Sequence, residues 1–130
     1  MRLRLRGLVE GEAEAQLLVY NAPLSLYGEL DEMGRIHGKL SISGRIFVFR
    51  YPRGSTVGSY ILYGLARKGY APRAIVVEKA DPILVAGSVL AEIPLAEGMP
   101  GTFFKEIERY NGRNSRLKVN PPEAILEIEE

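Results

Sequence analysis

FVFRYPRGSTVGSYILYGLARKG, Phe47 to Gly69, reads as strand, loop and helix. Phe47, Val48 and Phe49 are aromatic and β-branched, as a buried strand requires. Tyr51, Pro52, Arg53 and Gly54 break the pattern, and Gly54 permits a tight backbone. A helical spacing follows, in which Val57, Ile61, Leu65 and the aliphatic stem of Lys68 predict one apolar face. The basic pair Arg67-Lys68 and then Gly69 close the helix in the expected order. Ser55 and Thr56 therefore fall at or near the helix N-terminus. Free backbone N–H groups and the positive dipole end collect there and make an anion site. A Ser or Thr at a helix start is ordinarily only an N-cap, worth about 1 kcal/mol. The loop needs support from its surroundings before it carries chemistry.

Toward the N-terminus, Leu3, Leu5 and Leu8 alternate with Arg2, Arg4 and Arg6, which predicts a strand with one basic face. After a turn at Gly11, Ala13, Ala15, Leu17 and Val19 alternate with Glu12, Glu14 and Gln16 in a second strand. Leu24 to Tyr27 reads as a short strand ending at Gly28. Asp31 to Gly44 reads as a loop with short extended pieces at Ile36 and Leu40–Ile42.

Toward the C-terminus, Ala74-Ile75-Val76-Val77 is a fully apolar run of the kind found in central strands. Asp81-Pro82 starts a helix, and Gly87 is expected to stop it after one turn. Val89 to Ile93 reads as a strand ended by Pro94. A short helix follows, capped by Thr102, with Phe103 facing Ile107. Asn111-Gly112 and Asn114-Ser115 read as turns. A pair of strands, Leu117–Val119 and Ala124–Ile128, flanks Asn120-Pro121-Pro122. The expectation is one domain over residues 1–130, α+β and mainly β, with seven or eight strands and two or three helices. Helices interrupt only the middle of the chain, so the fold is not doubly wound.

Lys plus Arg number 17 against 16 Asp plus Glu, which argues against nucleic-acid binding by bulk charge. No apolar run approaches a membrane span and no signal pattern opens the chain, so a cytoplasmic location is expected. Cysteine is absent, so the chain holds no iron–sulfur cluster on its own thiolates. The single histidine, His37, lies between Gly34 and Gly38 and reads as a solvated loop residue. Arg35, Arg45 and Arg50 read as surface charges, Glu78 and Asp81 as turn and cap residues, and Tyr60 and Tyr63 as packing residues with wet hydroxyls.

Several runs recur together in a known order. They are Arg53-Gly54-Ser55-Thr56-Val57-Gly58-Ser59-Tyr60, Gly69-x-Ala71-Pro72-x-Ala74-Ile75, Ala86-Gly87 and Ala91-Glu92-Ile93-Pro94. With Gly11-Glu12-Ala13 and Leu24-Ser25-Leu26-Tyr27-Gly28 upstream, the chain resembles the small, swivel-domain subunit of aconitase X-type dehydratases. It is most similar to their archaeal branch. The resemblance implies a swivelling β/β/α fold with a barrel-like sheet. It also implies a heterodimer with a large aconitase X-type subunit that carries the iron–sulfur cluster (4Fe-4S).

The implied reaction removes water from (R)-5-phosphomevalonate and gives trans-anhydromevalonate 5-phosphate, a step of isoprenoid biosynthesis. The resemblance assigns Ser55 to the serine that takes the proton beside the carboxylate, and implies that Arg53, Gly54 and Thr56 bind substrate around it. Two departures stand out. The connector Asp31–Gly44 is shorter than the family pattern, and Val57 occupies the place of an arginine found in aconitase-like loops. Two other readings of the same residues remain: a dehydratase subunit for another hydroxy acid such as a hydroxyproline, and a non-catalytic anion-binding module.

Overall fold

The computed structural model describes residues 1–54, 57–98 and 101–130, the side chains of 101–103 excepted. The strands are β1 (Arg2–Val9), β2 (Gly11–Tyr20), β3 (Arg35–Ile36), β4 (Leu40–Ser41), β5 (Ile46–Phe49), β6 (Ala74–Val77), β7 (Leu95–Glu97), β8 (Asn114–Asn120) and β9 (Glu123–Ile128). The helices are α1 (Leu26–Glu29), α2 (Gly58–Lys68), α3 (Pro82–Ala91) and α4 (Gly101–Ile107), with a 3-10 turn at Glu108–Tyr110. Seven strands close a barrel in the order β1-β7-β6-β5-β2-β8-β9, while β3 and β4 form a separate two-stranded hairpin. The mixed α/β class and the barrel-like sheet are as expected. The described residues form nine strands and four α-helices, more of each than the sequence reading supplied.

The barrel has a parallel side and an antiparallel side. Strands β2, β5, β6 and β7 run parallel, and β8 and β9 return antiparallel to close on β1. Parallel strands covered on both faces read as unbroken apolar runs, which is why Ile46–Phe49 and Ala74–Val77 were legible as strands. Their alternate residues serve two different cores. Ile46, Val48, Ala74 and Val76 point into the barrel with Leu5, Leu17, Leu117 and Leu126. Phe47, Phe49, Ile75 and Val77 point outward, under Leu62 and Leu65 of α2 and Leu84 of α3. The Phe47 and Phe49 rings stack with centroids 4.9 Å apart. Phe104 and Ile107 of α4 are fully buried and belong to the barrel interior.

Several local expectations are corrected. Leu24–Tyr27 is not a strand: Ser25 caps the one-turn helix α1, its Oγ accepting the Gly28 N–H at 3.1 Å. Gly87 does not end a helix after one turn, and Val89–Ile93 is not a strand. Helix α3 runs through both as far as Ala91, and Glu92 closes it in the left-handed region. The reason is tertiary, because Gly87 lies where α3 crosses α2 and the missing side chain lets the backbones meet. The same crossing turns α2 so that Gly58, Leu62 and Leu65 are buried, with Ile61 only half-buried and Lys68 exposed. Asn114-Ser115 opens β8 and is not a turn. The expected Thr102 cap and Phe103–Ile107 contact lie outside the described side chains.

Candidate active-site loop

All four parallel strands deliver their loops to one edge. Tyr20, Phe49 and Val77 stand side by side in register, with Glu97 next to Val77. The segments that follow are bonded together: the Arg50 N–H donates to the Ala22 carbonyl at 3.2 Å and the Glu78 N–H to the Arg50 carbonyl at 2.8 Å. Carboxyl ends of parallel strands are where α/β folds commonly bind ligands. The loop after β5 is the one singled out by sequence. Its first half folds against the segment before α1. The Leu24 N–H donates to the Tyr51 carbonyl at 3.1 Å, and the Arg53 N–H returns a bond to the Leu24 carbonyl at 3.0 Å.

Gly54 turns away from this pairing with φ +99°, a conformation that disfavours any side chain. A Cβ there would also stand 3.0 Å from Ser25 Oγ. Ser55 and Thr56, the expected base and its neighbour, lie outside the described residues. Helix α2 begins at Gly58, and Val57 occupies its cap position without a side-chain cap bond. At the far end, Gly69 closes α2 in the left-handed conformation, as the sequence predicts.

Arg53 and Gly54 line a small recess with Pro52, Gly58, Asp81 and Ile83. The N-termini of α2 and α3 both open on it, so two helix dipoles present their positive ends to one place. The α3 end is already capped, Asp81 Oδ1 accepting the Leu84 N–H at 2.7 Å. Arg53 extends from the loop with its side chain 60% exposed and touches Glu29 Oε2 at 3.3 Å.

Glu29 belongs to none of the motifs singled out above, yet it meets this loop. Its carboxylate accepts the Ser25 N–H at 2.6 Å and meets His37 Nε2 at 3.1 Å as well as Arg53. Burial pushes the Glu29 carboxyl up, but the Ser25 N–H, Arg53 and His37 together hold it below its ordinary value. His37 is exposed, as expected of a loop residue. It also belongs to this cluster, with φ 51° and its N–H on the Glu29 carbonyl at 3.0 Å.

The other candidates are structural. Arg50 is spoken for by Glu78, by Asn21 Oδ1 at 2.6 Å and by the Phe104 ring 4.7 Å below its guanidinium carbon. Glu78 thus pairs with Arg50 and Asp81 caps α3. Arg35 pairs with Asp31, and Arg45 leans on the Leu17 carbonyl. Tyr60 is 72% exposed, so it is not a packing residue. A hollow of about 500 Å³ lies at the opposite end of the barrel, where Glu10, Glu12, Glu14 and Glu92 face Arg73. Carboxylates dominate that wall and would repel an anionic acid, so the loop edge is the better site despite its smaller recess. The described residues bring no three metal-ligating side chains together.

A family model for the aconitase X swivel domain matches residues 2–128. The chain belongs to the aconitase X swivel domain family. The phosphomevalonate dehydratase small subunit of Aeropyrum pernix is 48% identical over 108 residues, 82% of this chain and 81% of that one. The corresponding subunit of Thermococcus onnurineus is 36% identical over the full length of both chains. The crystal structure of Thermococcus kodakaraensis aconitase X in its holo-form superposes with a TM-score of 0.87 at 33% identity, covering 100% of this chain and 99% of that one.

This aconitase X swivel domain thus gathers two of its sequence-predicted site residues, Arg53 and Gly54, on one turn. Beneath them it adds Ser25, Glu29 and His37, which the sequence reading assigned to other roles or none. Ser25 and Glu29 cap each other's turn, Ser25 Oγ accepting the Gly28 N–H and the Glu29 carboxylate the Ser25 N–H, but Glu29 stands one residue beyond the usual capping-box position, and His37 carries no local signal.

Proposed function

We propose that this chain, acting as one swivel unit over residues 1–130, is the small subunit of a hydro-lyase. The complex dehydrates (R)-5-phosphomevalonate to trans-anhydromevalonate 5-phosphate in the cytoplasm. The observation that carries this reading is the Arg53–Gly54 turn. It stands at the carboxyl edge of the parallel strands, on the family's Arg-Gly-Ser-Thr run, in a chain 48% identical to a phosphomevalonate dehydratase small subunit.

In this reading Ser55 takes a proton from the carbon beside the substrate carboxylate, and the hydroxyl on the next carbon leaves as water. An isolated serine is a poor base. The α2 N-terminus favours negative charge by about 0.3–1 kcal/mol when exposed and ~2 when partly buried, which is too little alone. Arg53, itself paired with Glu29, holds the anionic group of the substrate beside the loop, and closure by a partner removes water and strengthens the electrostatics there. Gly54 and Thr56 complete the wall.

The chain has no cysteine, so its residues do not fit an iron–sulfur cluster. That group belongs on the large subunit, where it would act as a Lewis acid on the leaving hydroxyl. The role of the present chain is to supply the base, the cation and the Arg53–Gly54 turn.

Co-expression with the large subunit tests the proposal. The expected result is co-elution and turnover of 5-phosphomevalonate by the complex, with none by this chain alone. Turnover of a hydroxyproline instead would reassign the substrate. A chain that elutes alone and binds phosphate without turnover would make it an anion-binding module.

A further inference from the structure

Glu29 has no part in the reaction sketched above, yet its carboxylate is held by three partners beside the site loop. Three elements meet on it: the N-terminal turn of α1 through the Ser25 N–H at 2.6 Å, the site loop through Arg53 at 3.3 Å, and the connector hairpin through His37 Nε2 at 3.1 Å. The side chain is only 13% exposed, whereas Arg53 and His37 are 60% and 61% exposed. A nearly covered carboxylate thus stands behind an open guanidinium.

We infer that Glu29 is the positioning residue for Arg53, fixing its guanidinium so that the remaining donors face the anionic group of the substrate. This rests on the substrate-binding role given to Arg53 above. The chemistry follows from the donor count. A guanidinium carries five N–H donors in a rigid fork, and the Glu29 contact engages one nitrogen. The rest suit a carboxylate or a phosphate, which accept in pairs. Without its anchor a long arginine side chain loses rotamer freedom only on binding substrate, and that cost falls on affinity.

The backbone argues the same way. The Arg53 N–H is tied to the Leu24 carbonyl, one residue from Ser25, and Ser25 Oγ lies against Gly54. The α1 turn therefore holds both the backbone and the side chain of position 53. Glu29 itself stays charged, because Ser25, Arg53 and His37 all favour the carboxylate.

The test is a double-substitution cycle in the reconstituted two-subunit complex with 5-phosphomevalonate. Glu29→Gln keeps the shape and an acceptor for the Ser25 N–H but removes the charge that orients Arg53. It is expected to raise KM about tenfold with kcat within about twofold of the parent, the pattern of lost uniform binding. Arg53→Ala should raise KM at least as much. The pair Glu29→Gln/Arg53→Ala should be no worse than Arg53→Ala alone, because Glu29 acts only through Arg53. A merely structural role would lower the Tm and make the two effects multiply. Multiplying effects, or a parent KM in Glu29→Gln, would overturn the inference while leaving the dehydratase reading intact. A parent complex that turns over no acid would remove both.

Discussion

Gly87 of α3 faces Ser59 of α2 so closely that a Cβ at position 87 would stand 2.9 Å from the Ser59 Cα. Leu62 Cδ1 would be 3.1 Å away. Ser59 belongs to the first turn of α2, so this crossing sets where the helix, and the loop leading into it, begins.

Gly87→Ala is expected to destabilise the fold. In an open helix, alanine gains about 1 kcal/mol over glycine. Here the added methyl strikes backbone, and overpacking costs roughly 1–3 kcal/mol. The net sign is the measurement: a urea midpoint above the parent's would show that the helices have room at this point.

Ser55→Ala separates a base from a cap. Loss of a general base lowers the turnover number on the order of 10²–10⁴-fold with little change in Tm. Loss of a cap costs about 0.5–2 kcal/mol of stability and leaves turnover near the parent rate. Thr56→Ala is the control, expected to keep most activity. Early melting with full turnover in Ser55→Ala would return the serine to a structural role.

Acid should weaken the fold partly through Glu97. Burial raises its carboxyl, but the Ala80 N–H, Arg6 and Lys79 outweigh this and hold it below 4.5. The Ala80 N–H donates to Oε2 at 2.7 Å, and Arg6 of β1 pairs with Oε1. In the window between the folded value and 4.5 the unfolded chain binds more protons, so stability rises with pH there. The contribution is complete above 4.5 and vanishes as pH falls through the folded value. Denaturant midpoints across that window should fall more steeply with acid for the parent than for Glu97→Gln. Parallel curves would remove Glu97 from the account.

Tyr60 offers a reading of the partner surface. It is 72% exposed in the first turn of α2, beside the site loop. Large exposed aromatics of this kind often anchor interfaces, where truncation costs upward of about 1 kcal/mol. Tyr60→Ala should leave the Tm of this chain nearly unchanged and weaken association with the large subunit several-fold, read by titration calorimetry. Equal affinity would move the interface elsewhere.

The legible parts of the sequence were those where local pattern and tertiary demand agree. Ile46–Phe49 and Ala74–Val77 are apolar throughout because both faces are covered. Asp81-Pro82 starts a helix by local bonding alone, and the Asp81 side chain makes the expected cap. The missed parts were decided at a distance. Val89 and Ile93 carry strand propensity, but the α2 crossing makes Gly87 a helix interior and carries α3 past Val89. Glu29 follows Gly28, where the sequence reads as the end of a short strand. Nothing nearby in sequence announces that Arg53, 24 residues on, and His37 will meet its carboxylate.

Strand β5 is gripped from two directions, by the barrel interior on one face and by the helix layer on the other. Its continuation as far as Arg53 is bonded to Leu24 before any second polypeptide arrives. Encounter between the subunits therefore needs no folding of β5 or of the Arg53 turn. Association should proceed at the on-rates of pre-shaped proteins, on the order of 10⁵–10⁷ M⁻¹s⁻¹, in a single kinetic phase. Differences in complex lifetime among variants would then lie in dissociation.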